Sequence, residues 1–171
     1  MQLKNSLILL LALCSGVTHG KEQDSYLSST APFITYENIN DEVLAWATCA
    51  ATMDILAEVY KSDNPSTSEQ LNNLANGAEV AILMSQVYRV LSKDDFEVSE
   101  LNATITYGKM QMDEAPNAQK QVILSELELE GLELVTTKLT TTLKLCSENN
   151  ELQKIYVDMM RDLARSGIFG S

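Results

Sequence analysis

Apolar positions recur at steps of three and four along most of this chain, the period of helices that bury one stripe. Ile39, Val43, Trp46/Ala47, Ala50, Met53, Ala57 and Tyr60 trace the first stripe. Asn40 is placed to cap it, and Asp41 and Glu42 follow where the helix dipole favours acids. Its alanines predict that another element approaches closely, and "SDNPS" ends it. Ser66-Thr67-Ser68-Glu69 then reads as a capping box opening a second helix. Leu71, Leu74/Ala75, Ala78, Ile82, Ser85 and Arg89 form its stripe. Val80, Leu83, Met84, Val87, Tyr88 and Leu91 widen that stripe so far that this helix is expected at the centre of the fold. Gly77 within it costs about 1 kcal/mol relative to alanine, which points to a tight crossing.

Asp94-Asp95-Phe96-Glu97 marks a third start, and the helix is expected to stop at Pro116, because proline lacks the donor that continues the ladder. Residues 117–146 are ambiguous. "LSELELEGLEL" and "TTKLTTTLKL" alternate enough to suggest strands, and threonine is β-prone. Leu132, Val135, Leu139, Leu143 and Cys146 nevertheless make a helical seam, and helix is the reading adopted. Ser147 is expected to cap a last helix with Leu152, Ile155/Tyr156, Met159 and Leu163 inward and Gly167 as its stop. The pattern predicts an all-α, single-domain bundle of about five helices over residues 38–171. Residues 21–37, polar, rich in Ser and Thr and interrupted by Pro32, are expected to form a flexible leader, with Phe33, Ile34 and Tyr36 against the fold.

The first 20 residues break this pattern. A short n-region with Lys4, an apolar run from Leu7 to Cys14 and small residues before Lys21 form the layout of a secretory signal peptide. The run is far shorter than the roughly 20 residues that span a bilayer, and no other stretch reads as a transmembrane helix. The chain is thus expected in the periplasm or secreted. "LALC" offers a lipid-anchored alternative through Cys14, disfavoured because the preceding residue, Leu13, is not small.

Cleavage there changes the chemistry. Loss of Lys4 leaves 11 basic residues against 24 acids, a formal charge of −13, which argues against nucleic acid and anionic lipid as partners. The only histidine, His19, lies inside the signal segment. The remainder lacks the imidazole of Ser-His-Asp or Cys-His catalysis, of Glu-x-x-His di-iron sites and of the usual zinc sites. No Gly-rich phosphate loop, nucleophile elbow or haem-attachment motif is present. No cofactor and no enzymatic activity are expected.

Two cysteines then remain, Cys49 and Cys146. In an oxidising compartment they are expected to pair, closing a loop of about 97 residues, worth ~4–5 kcal/mol in the chain-entropy model. The apolar neighbours of Cys49 would raise its pKa, against a reactive thiol. Other candidates carry plainer readings. Met110, Met112, Met159 and Met160 read as core filler rather than a copper(I) site. Glu126 to Glu133 reads as a solvated face without calcium-loop spacing, and Asn102-Ala103-Thr104 as a chance glycosylation pattern. Trp46, Met53, Tyr60, Met84 and Tyr88 are the candidates to line a pocket or the core. The expected function is binding of another protein, as an inhibitor, immunity or assembly factor. The alternative is a carrier or sensor of a small apolar ligand held between helices.

Overall fold

A computed structural model describes residues 25–168; the expected signal segment, with Cys14 and His19, lies outside the described residues. Five α-helices and one 3-10 turn make up the fold, and no strand occurs among the described residues. They are α1 (Ile39–Tyr60), α2 (Pro65–Leu91), α3 (Val98–Glu130), α4 (Leu132–Glu148) and α5 (Asn150–Arg165). The ambiguous stretch 117–146 is helical apart from one residue, as its seam predicts.

α1 and α2 form the central antiparallel pair, with the largest interface in the molecule. Every residue from Ala45 to Met53 is buried, as is every residue from Ala81 to Val87. Alanines supply the close approach: Ala45, Ala47, Ala50, Ala51 and Ala57 on α1, Ala75, Ala78 and Ala81 on α2. α1 is long and apolar enough to cross a membrane by length and composition, yet 67% of that window is buried inside the protein. It is used here as the core helix, surrounded rather than one-sided. α3 packs on both central helices, α4 on α1 and α5 mainly on α2. Gly77 marks the α2–α5 crossing, where a Cβ would lie 2.0 Å from the Gln153 amide nitrogen.

The helix boundaries correct several expectations. The cap of α1 is Asn38, not Asn40: its side chain accepts from the Asn40 amide at 3.0 Å. α2 begins before the expected capping box, because Asn64 accepts from the Thr67 amide at 3.2 Å and Pro65 takes the first helical position. Ser68 of that box is buried and donates to the Ala57 carbonyl at 2.8 Å, tying α2 to α1. α3 does not stop at Pro116; it continues to Glu130 with Pro116 buried. An interior proline costs about 3 kcal/mol. Packing of the following residues offsets that cost, and the Asn117 side chain donates to the Asp113 carbonyl at 2.9 Å beside the interrupted ladder.

The break comes at Gly131 instead, with φ +89° and ψ 172°, a conformation almost confined to glycine. One residue therefore turns α3 into α4. Ser147 does not open α5 but donates to Lys144 inside α4, and the junction is Asn149. Gly167, at φ +83°, does stop α5: the Gly167 and Ile168 amides donate back to Ala164 and Leu163.

Cys49 and Cys146 are joined as a disulfide with their Cα atoms 5.7 Å apart, pinning the buried middle of α1 to the last turn of α4. The segment expected as a flexible leader is docked from Ser25 onward. Ser25 and the Tyr26 amide meet the Thr142 hydroxyl at 3.2 and 2.9 Å, and the Phe33 amide donates to Asn149 Oδ1 at 3.0 Å. Leu27 and Phe33 are buried, which supplies the apolar free energy that holds a polar strap in place.

Candidate functional site

Two constellations stand out. The first is a buried polar cluster at one end of the bundle. Glu42, 1% exposed, accepts from the Tyr156 hydroxyl at 2.9 Å and from Arg89 at 3.0 Å. Arg89 also donates to the Tyr36 carbonyl and, at 2.8 Å, to the Glu37 carbonyl. Trp46 meets Phe33 edge-on at 4.8 Å and Tyr156 at 6.2 Å, enclosing the cluster in aromatic rings. Burial first, and the Glu42 carboxylate second, hold the Tyr156 phenol well above its ordinary pKa of 10. A phenol so held stays protonated and keeps donating. The Arg89–Glu42 pair joins α2 to α1, and the other polar contacts tie the N-terminal strap and α5 to that pair, so the chemistry is that of a clamp.

The second constellation is an apolar cleft of about 300 Å³, half-open to solvent, near the Gly131 elbow. α1 provides its floor with Ile55 and Val59. Ile123, Leu124 and Leu127 of α3 form one wall, and Leu132, Val135 and Leu139 of α4 the other. Glu58 and Lys120 stand at its rim. Leu124 is 36% exposed, so the apolar surface reaches the outside. Ile123, Val135 and Leu139 are almost fully buried and hold the walls. Gly131 alone joins the two walls in sequence, and α1 lies against both without closing the space between them.

Ion pairs set the walls. Lys138 of α4 reaches Glu126 of α3, and Lys120 of α3 reaches Asp54 of α1. Burial opposes ionisation of Glu126, but the Lys138 ammonium and the Tyr26 hydroxyl together outweigh it and hold that carboxyl below its ordinary 4.5. Lys138 also lies 5.6 Å from the Tyr26 ring centre, so the strap braces the same hairpin. Nearby, the Glu79 carboxyl is pushed up, first by burial and then by Asp54 and Asp113.

The residues singled out from the sequence fall elsewhere. Trp46, Met53 and Met84 are fully buried, Tyr60 is half-buried, and Tyr88 is 43% exposed with its ring 6.3 Å from that of Tyr156. Trp46 and Tyr88 thus gather around Tyr156, and none of the five lines the cleft. Met112, Met159 and Met160 pack against the core, and Met110 is 45% exposed. Among the described residues no group of three or more His, Cys, Asp or Glu side chains is arranged to hold a metal ion. Asn102 is exposed on α3.

The periodic pattern put Leu132, Val135 and Leu139 on one helical seam but left Ile55 and Val59 off the α1 stripe, and so missed the cleft they share. Those two surplus apolar positions were the available signal. Compared with models of known families, with characterised proteins and with solved structures, the chain matches none.

Proposed function

We propose that this chain is an exported, non-enzymatic helical scaffold that works by binding another protein through the cleft at the Gly131 elbow. One observation carries the reading: the core is closely packed, while an apolar cleft with exposed Leu124 at its edge is left uncovered. Exposed concave apolar surface of this kind marks interaction sites. Export is supported by the N-terminal apolar segment and by the Cys49–Cys146 disulfide, a bond that persists in oxidising compartments. The alternative, a small apolar ligand, draws on the volume of about 300 Å³, at the lower end for ligand pockets. The half-open form favours a side chain delivered from outside over an enclosed molecule.

The test is site-specific photo-crosslinking in cells that make the chain naturally. A benzophenone side chain at position 124 should yield a discrete protein adduct, lost when Val59→Glu is added. The same group at Asn72, exposed on α2, should yield none. An adduct at 124 that survives Val59→Glu, or no adduct at all, would end the cleft reading. Displacement of an apolar dye by free fatty acids, with no adduct, would replace it with the ligand reading.

A further inference from the structure

Resting on that reading, we infer that the partner presents a basic amphipathic helix, with aliphatic side chains entering the cleft and Lys or Arg on its flanks. Residues 54–61 and 120–138, which build and border the cleft, hold six carboxylates against three lysines. Each lysine already meets one of those carboxylates: Lys61 meets Glu58, Lys120 meets Asp54 and Lys138 meets Glu126. These segments therefore keep a net charge of −3, with Glu128, Glu130 and Glu133 exposed beside the lining residues in sequence. Glu128 stands one helical turn beyond Leu124, on the strip that forms the edge of the cleft. An apolar floor inside an acidic border selects an occupant with the opposite sign around an apolar centre, and repels an acidic one.

Shape favours a helix over an extended peptide. The described residues include no sheet edge to which a strand could add, whereas all three sides of the cleft are helices. From Lys120 to Leu127 the α3 wall spans eight residues, about 10 Å or two turns. That length accepts side chains at i, i+3/i+4 and i+7 of one facing helix. A nucleic acid has the wrong charge, and a free acyl chain would leave the acidic border without a counterpart.

The experiment uses the disulfide-bonded chain from residue 21 onward and three synthetic peptides of equal length. One carries Leu at i, i+3, i+4 and i+7 with Lys elsewhere; the second replaces Lys by Glu; the third scrambles the Leu/Lys order. Fluorescence anisotropy reads affinity, and methyl NMR of Ile55, Val59, Ile123, Leu127, Val135 and Leu139 reads location. The ordered Leu/Lys helix should bind at least about tenfold more tightly than either control, weaken several-fold as salt screens the border, and shift those methyls. Glu128→Lys together with Glu130→Lys should weaken it about tenfold while leaving the fold, by circular dichroism, unchanged. Equal binding of the Leu/Glu or scrambled peptide, or shifts confined to other methyls, would overturn the inference and leave the crosslinking test of the cleft to stand separately. Absence of peptide binding alongside a Leu124 adduct would likewise reject the basic helix while keeping a protein partner.

Discussion

The Tyr156 hydroxyl donates to the Glu42 carboxylate at 2.9 Å, joining residues 114 positions apart at the point where the strap, α1, α2 and α5 meet. Arg89 completes the arrangement from α2 at 3.0 Å. A buried carboxylate with two donors is stable only while both remain, because its hydration has been surrendered.

Tyr156→Phe should therefore cost more than an exposed hydrogen bond. The expected loss is about 1–3 kcal/mol, the desolvation penalty of an acceptor deprived of one donor. For a domain of this size, that lowers the melting temperature by roughly 2–4 °C per kcal/mol. Thermal unfolding followed by circular dichroism measures it; an unchanged midpoint would remove the clamp role.

Cys49→Ser with Cys146→Ser should destabilise the chain by about 2–5 kcal/mol, since the bond closes a 97-residue loop. Urea unfolding of the double variant beside the parent checks the size. Non-reducing peptide mass spectrometry of the purified chain should find the two cysteines linked, and free thiols at both positions would refute the staple.

Gly131→Ala should strain the elbow. Nothing lies within 4 Å of an added Cβ, so the cost is conformational: φ +89° with ψ 172° costs a non-glycine residue about 1–3 kcal/mol. Urea unfolding should register that loss, and the Leu/Lys peptide should bind more weakly because this residue joins the two cleft walls. An alanine variant as stable as the parent would show that the turn adapts freely.

Glu79 and Glu126 predict opposite pH behaviour. The Glu79 carboxyl is raised, so the folded state holds its proton to higher pH, and its contribution falls as pH rises from 4.5 through the raised value. Glu79→Gln should therefore raise the melting temperature at pH 7, with the advantage shrinking by pH 4. The Glu126 carboxyl is lowered, so its contribution is present above 4.5 and lost as pH falls through the lowered value. Glu126→Gln should lower the melting temperature at pH 7, and by less at pH 3. Melting curves of both variants across pH 3–7 check the two signs, and parallel curves would contradict both.

Much of the fold was legible because helix periodicity and caps are local. The seam of Val135, Leu139 and Cys146 identified a helix despite its threonines, and the alanines of α1 foretold its tight partner. The boundaries were less legible. Pro116 is a local stop signal overridden by burial. Asn38 and Asn64 outcompeted Asn40 and Ser66 as caps because where the chain turns decides which side chain meets the free amides. Docking of the strap rests on Thr142 and Asn149, more than 100 residues away.

By itself the sequence determined the helical class, the pairing of Cys49 with Cys146 and the excess of negative charge, since each follows from residue type and short-range spacing. Only the tertiary structure decided that Ile55, Ile123 and Val135 share an open cleft while Trp46 and Met84 are closed off. Periodicity says which face of a helix is apolar. Whether a neighbour covers that face depends on how the helices pack in three dimensions, which no local spacing records.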